Sequence, residues 1–306
     1  MRMSCAVSRT SLRIDLGLEG RMRLVKGAGS SGEVPAVGRA LTPPSHSTYP
    51  YKKYGGAMLS TRGLRLELKT LIKQFFRNGA DTRFLLFGRG RSGTTLLVNL
   101  LDEVPGVTCD GEVLHYPVVH PLSHLRRLAR SSRTPVWGCK LLTYQILEVN
   151  RTRRPLRLFQ RLVDEGVRLI HLERSTFGMT ISHCVAEETS SFVNFKSDEK
   201  RVGGLELDPK KVLWHLKRCL LHLEYEREIV AQFDHLELNY EEDLANEENH
   251  QRTVDGVCKF LGVDGVPIAA RTEKVIGGAG LYVSNLENIK QFVIDAGYER
   301  AMLPRG

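Results

Sequence analysis

The chain has 306 residues, 42% hydrophobic and 26% charged, the balance of an ordinary globular protein with a sizeable core in one large or two modest domains. Its net charge of +9 is uneven: residues 1–57 hold nine Lys/Arg against three Asp/Glu, which leaves +3 for the other 249 residues and excludes the basic stripe of a nucleic-acid binder. No apolar run approaches the roughly 18 residues of a membrane span, the first 30 residues lack a secretory apolar core, and the six cysteines form no Cys-x-x-Cys pair; a cytoplasmic protein with no transmembrane segment and buried, reduced thiols is expected.

Residues 1–57 are rich in Gly, Ser, Pro and Arg with no sustained apolar period, and read as a disordered leader, with a natural start near Met58 as an alternative. Residues 58–306 read as a single α/β domain. From Thr82 the signals alternate. Arg83 to Phe87 predicts a buried strand, Gly93 to Leu101 a helix, Pro135 to Leu142 a strand, Pro155 to Glu165 a helix, Val167 to Leu172 a strand and Thr176 to Glu188 a helix. Such alternation predicts three layers, a central parallel sheet covered on both faces. Segments 113–134 and 187–205 read as polar loops that contact an acceptor through His115, Tyr116, His120, Arg126, Arg127, Phe192, Phe195 and Lys196. Asp208-Pro209 opens a long helix with Leu213, Leu216, Leu220 and Leu223 on one face, on which His215, Lys217 and Arg218 are expected to be solvated. His235 to Tyr240 predicts a strand, Thr253 to Leu261 a helix closed by Gly262, and Asn285 to Ala296 a last helix after the glycine-rich Lys274 to Gly280.

The most specific motif is Gly88-Arg-Gly-Arg-Ser-Gly-Thr-Thr95, set between the first strand and first helix. A glycine-rich turn opening into a helix aims backbone N–H groups and a helix N-terminus at phosphate, so Gly90, Arg91, Ser92, Gly93, Thr94 and Thr95 are candidate binders of a nucleotide. A nucleoside-triphosphatase loop would carry Lys-Ser/Thr after the last glycine, where this chain has Thr94-Thr95. A second anion signal lies at Arg174, at the end of the third strand, followed eight residues later by Ser182.

Taken together, Arg91-Ser-Gly-Thr-Thr95 and the Arg174/Ser182 pair resemble the sulfotransferases that use 3′-phosphoadenosine 5′-phosphosulfate (PAPS). In that family the loop holds the 5′-phosphosulfate and the Arg and Ser hold the 3′-phosphate. Val104 to Glu112, with its Gly-Glu pair, looks like the segment of tyrosylprotein and carbohydrate sulfotransferases whose Glu is the catalytic base. Trp137-Gly-Cys-Lys140, Tyr240-Glu-Glu-Asp-Leu244 and Phe260-Leu-Gly262 resemble further family segments, the last shared with bacterial enzymes acting on nodulation factors and glycolipids. The cytosolic branch has Lys in place of Arg91 and a His base with no counterpart here, which sets the chain nearer the Glu-base branch. Lys274 to Gly280 is the stand-in for the family's C-terminal donor loop.

The resemblance implies transfer of a sulfuryl group to a hydroxyl or amine of a carbohydrate, glycolipid or small metabolite, with Glu112 as base, Arg91 stabilising the departing oxygen and no metal. His115 and, more remotely, His120 are rival bases. Lys140 is open between a donor or acceptor contact and a strand residue extending toward solvent. The glycine-rich loop alone remains compatible with a P-loop kinase or a non-catalytic nucleotide-binding module.

Overall fold

The computed structural model describes residues 11–13, 23–27, 65, 68, 71, 79–189, 204–268 and 283–302. Phe192, Phe195, Lys196, Met58 and the 274–280 loop lie outside the described residues.

Seven strands form one sheet: β1 (Ser11–Arg13), β2 (Arg23–Val25), β3 (Thr82–Gly88), β4 (Val107–Glu112), β5 (Val136–Leu142), β6 (Val167–Glu173) and β7 (His235–Asn239), in the order β1-β2-β7-β6-β3-β5-β4. The five strands β7, β6, β3, β5 and β4 run parallel, and β2 and β1 extend the β7 edge antiparallel. No apolar period marks β1 or β2 in the sequence; β2 is held by main-chain pairing to β7 and β1 by pairing to β2, with the Gly27 N–H after β2 donating to Asp234 Oδ1 at 2.8 Å.

The helices are α1 (Thr94–Asp102), α2 (Pro121–Arg130), α3 (Pro155–Asp164), α4 (Thr176–Glu188), α5 (Pro209–Val230), α6 (His250–Leu261) and α7 (Leu286–Asp295). The period of two along the central strand builds the three layers. Phe84 and Leu86 of β3 pack with Leu97, Leu100 and Leu101 of α1 and Val254 and Val257 of α6. Leu85 and Phe87, pointing the other way, pack with Leu125 of α2, Phe159 and Leu162 of α3 and Ile229 of α5. A third cluster joins α4, α5 and α7 through Ile181, Val212, Leu216, Ile289 and Val293. All these side chains are buried, and at about 25 cal/mol per Å² of apolar surface the two sheet faces supply the main drive for folding.

Two local readings are corrected. The stretch 113–134 is not a loop throughout: Pro121–Arg130 is helical, with Pro at the first position and His120 Nδ1 capping the Ser123 N–H at 3.3 Å. That cap gives His120 a structural duty. Arg126 of the same helix pairs with Glu165, which precedes β6 and so lies at the end of the sheet away from the strand C-termini. His215 on α5 is buried, not solvated. Gly262, φ 67°, closes α6 in the left-handed conformation.

From β3 the chain passes to β4 and back to β5 on one side, then crosses to β6 and β7 on the other. The order therefore reverses at β3. In open α/β sheets a crevice opens at the strand C-termini where the order reverses, and here that point carries the Gly88 to Thr95 turn.

Candidate functional site

The turn after β3 is shaped by three contacts. Ser92 Oγ donates back to the Arg89 carbonyl at 2.8 Å, closing the loop on itself. Arg91 is held at φ 70°, the left-handed region that a non-glycine residue adopts only when its surroundings over-determine it. Gly93, at φ 97°, is the N-cap of α1; a Cβ there would lie 2.4 Å from Tyr240 Cδ2, so that only glycine lets the tyrosine close against the helix start.

The geometry then joins the two halves of the motif. Arg91 extends to Ser182 of α4, its Nη2 donating to Oγ at 3.0 Å and its Nε at 3.3 Å. Arg174, just past β6, donates from Nη1 to the Arg91 carbonyl at 2.9 Å while its guanidinium lies 4.0 Å above the Tyr240 ring. Glu173, the residue before Arg174, pairs with Arg227 at 2.5 Å. Burial, then the nearby Arg174 charge, lowers the pKa of Arg91. Two like charges held beside a helix N-terminus in a half-buried cleft make a site for an anion.

Beneath the loop lies a residue that no motif singles out. Arg89 is fully buried, with Nε 3.3 Å from Glu226 Oε2 of α5, Nη1 donating to Thr176 Oγ1 at 3.0 Å and Nη2 to the Arg174 carbonyl at 3.2 Å. Glu226 also accepts from Thr143 Oγ1 and has His171 Nε2 at 3.5 Å. This network ties the loop root to β5, β6, α4 and α5 at once.

Glu112 reaches the site through an irregularity. The register of β4 on β5 shifts between Asp110 and Glu112, which sets Glu112 opposite Lys140. Its Oε1 lies 3.0 Å from Lys140 Nζ, and its Oε2 accepts from Tyr144 Oη at 2.5 Å and from Gln145 Nε2 at 3.0 Å, with His115 Nδ1 at 3.3 Å. Lys140 Nζ in turn donates to Thr95 Oγ1 at 3.1 Å, so the lysine bridges the carboxylate and the phosphate loop. Burial alone would raise the Glu112 pKa, but the His115 hydrogen bond, the Lys140 charge and the Tyr144 hydroxyl outweigh it and bring it to about 2. The Glu112 carboxyl thus sits below the usual carboxylate range, opposite to the raised pKa that suits a general base. Gln145 opens a π-helical turn, Gln145–Val149 after β5, with Tyr144 as its N-cap, and no sequence motif points to either.

The acidic run Glu241 to Asp243 is structural. Glu241 accepts from the Ser175 N–H at 3.1 Å, and buried Asp243 accepts from the Asn239 N–H at 2.7 Å. Arg174 also borders a cavity of about 190 Å³ whose other walls include Leu220, Leu223, Tyr298 and Arg300. Among the described residues no helix is long and apolar enough to cross a membrane.

No protein-family model and no curated protein matches the chain. Among solved structures, a sulfotransferase from Alicyclobacillus acidocaldarius aligns at 14% identity and a TM-score of 0.45, over 74% of this chain and 97% of its own. Mouse sulfotransferase SULT7A1 complexed with PAP aligns at 14% identity and a TM-score of 0.43, over 81% of this chain and 97% of its own. At these scores the likeness assigns nothing within the site.

Proposed function

We propose that the chain is a PAPS-dependent sulfotransferase acting on a hydroxyl or amine of a carbohydrate, glycolipid or small metabolite. The observation that carries this reading is the meeting of Arg91, Arg174 and Ser182 at one helix N-terminus. The two signals are 83 residues apart in sequence and serve one cleft, as a donor with phosphate groups at both ends of its ribose requires.

In this reading the N–H groups of Gly90 to Thr94 and the Thr94 and Thr95 hydroxyls hold the 5′-phosphate, and Arg174 and Ser182 hold the 3′-phosphate. Arg91, always protonated, stabilises charge gathering on the bridging oxygen as the sulfur–oxygen bond to phosphate breaks. The acceptor oxygen or nitrogen forms the new bond to sulfur in line, and its proton passes to a base, leaving 3′,5′-bisphosphate as product. Glu112 is that base. Lys140 is poised to move from Glu112 toward the anionic donor through Thr95, and loss of the lysine charge would let the carboxyl pKa climb toward a useful value. The depressed pKa of Glu112 favours one variant of the scheme, in which the carboxylate orients His115 and the imidazole takes the proton.

The test is a thermal-shift comparison of 3′-phosphoadenosine 5′-phosphate with ATP and magnesium. At 100 times its dissociation constant the true ligand stabilises by about 2.7 kcal/mol. Greater stabilisation by ATP would favour a kinase and overturn the proposal. Sulfate transfer from labelled PAPS across an acceptor panel then separates an enzyme from a binding module. Glu112→Gln should cut turnover at unchanged donor affinity, whereas His115→Asn should do so only if the imidazole carries the proton.

A further inference from the structure

Helices α4 and α5 bring three metal-ligating side chains together outside the anion site. His183 and Glu187 stand four residues apart on α4, which puts them on one face, and His215 meets them from α5. One ligand atom from each lies within 4.8 Å of the others. His215 Nε2 is 3.2 Å from Glu187 Oε2, and the His183 and His215 rings are 4.8 Å apart between centroids. Tetrahedral zinc with bonds of 2.0–2.1 Å separates its ligand atoms by roughly 3.3 Å, so the His215–Glu187 edge already has the required length. His183, whose ligand atom lies within 4.8 Å of the other two, would complete a face of three.

The cluster sets one carboxylate, Glu187, against the nearby charges of Arg218 and Lys211. His215 is buried and flanked edge-on by the Trp214 ring at 4.8 Å, which fixes its orientation. His183 and Glu187 are half-buried. Lys211 Nζ, 3.2 Å from Glu187 Oε2, lies 2.5 Å from Glu188 Oε1, so Glu187 can turn to a metal without leaving the ammonium alone.

We infer that His183, Glu187 and His215 form a binding site for a first-row divalent cation, zinc being the natural probe, with two imidazole nitrogens and one carboxylate oxygen as ligands. Two imidazoles and one carboxylate on one face match zinc and the neighbouring transition metals far better than magnesium or calcium, which prefer oxygen. A metal here would fasten α4 to α5 one residue from Ser182.

The full chain, stripped with a chelator, is titrated with zinc against a chromophoric competitor. One equivalent should bind, and Glu187→Gln and His215→Ala should each weaken binding at least about 10-fold, since even outer-shell changes cost 10–100-fold. His183→Asn, a change at a half-buried position, provides a variant that should fold normally and still lose affinity. Cobalt in place of zinc should give visible ligand-field bands without sulfur-to-cobalt charge transfer. No stoichiometric binding, unchanged affinity in His183→Asn, or charge-transfer bands pointing to Cys184 or Cys219 would each overturn the inference.

Discussion

The buried pair beneath the loop gives the sharpest prediction. Arg89 and Glu226 have side chains 2% and 0% exposed, and Glu226 gathers Arg89, Thr143 and His171 around one carboxylate. Replacing Glu226 by Leu leaves the guanidinium of Arg89 in the interior with two neutral acceptors among the described residues, Thr176 Oγ1 and the Arg174 carbonyl. Breaking a buried ion pair from one side costs about 3–5 kcal/mol, a large share of the roughly 5–15 kcal/mol that holds a domain together. For a domain of this size each kcal/mol moves the melting temperature by about 2–4 °C, so the transition should fall by about 6–20 °C. The double change Arg89→Met with Glu226→Leu removes both charges and should recover most of that loss. The same series read by donor titration should show weakened binding in Glu226→Leu, because the Arg174 carbonyl and the loop root share the network. A Glu226→Leu variant within 1–2 °C of wild type, or a double variant no better than the single one, would refute the reasoning.

Three further outcomes follow from particular contacts. Arg174→Ala should weaken binding of 3′-phosphoadenosine 5′-phosphate far more than that of any acceptor, and unchanged affinity by calorimetry would remove its proposed role. Gly93→Ala introduces both a left-handed alanine, worth about 1–2 kcal/mol, and a Cβ 2.4 Å from Tyr240; wild-type stability in denaturant would show that the tyrosine does not close on the loop. For Glu148, burial would raise the pKa, but His222 and Arg218 bring it from 4.5 to about 2, a difference of about 3 kcal/mol between its two protonation states. Its folded pKa is depressed, so that stability is present above about pH 4.5 and fades as the pH falls toward 2. The gap between wild type and Glu148→Gln should shrink over that range, and a gap independent of pH would sink the attribution.

The parallel strands β3, β5, β6 and β7 and most of the helices were legible because each is either a short apolar run or a stripe at helical spacing. β4 was not, since Asp110-Gly-Glu112 breaks its apolar pattern at the very register shift that aims Glu112 at Lys140. α2 was hidden by its composition. Its core positions Leu122, Leu125 and Ala129 keep helical spacing, but a histidine cap is weak and the intervening arginines and serine resemble a loop. β1 and β2 are three residues each; β2 is defined by pairing with β7, more than 200 residues away, and β1 by pairing with β2, which no local pattern encodes.

The turn proposed to bind the anion stands out in the sequence for a different reason: main-chain geometry that can hold phosphate has a local glycine signature. What supports it is not local. Arg89 and Glu226 are 137 residues apart, and a glutamate on a long helix reads as solvated until the fold buries it. The three arginines at the loop also divide by role in a way that their shared chemistry conceals. Arg89 has a carboxylate at its head and serves the scaffold, whereas Arg91 and Arg174 stand close enough that the second lowers the pKa of the first, after burial. A fold gains nothing in stability from two repelling guanidiniums in a half-buried cleft beside a helix N-terminus. Holding Arg91 at positive φ to face Ser182 adds backbone strain to that repulsion, and the proposed anion would relieve the repulsion while using the geometry the strain maintains.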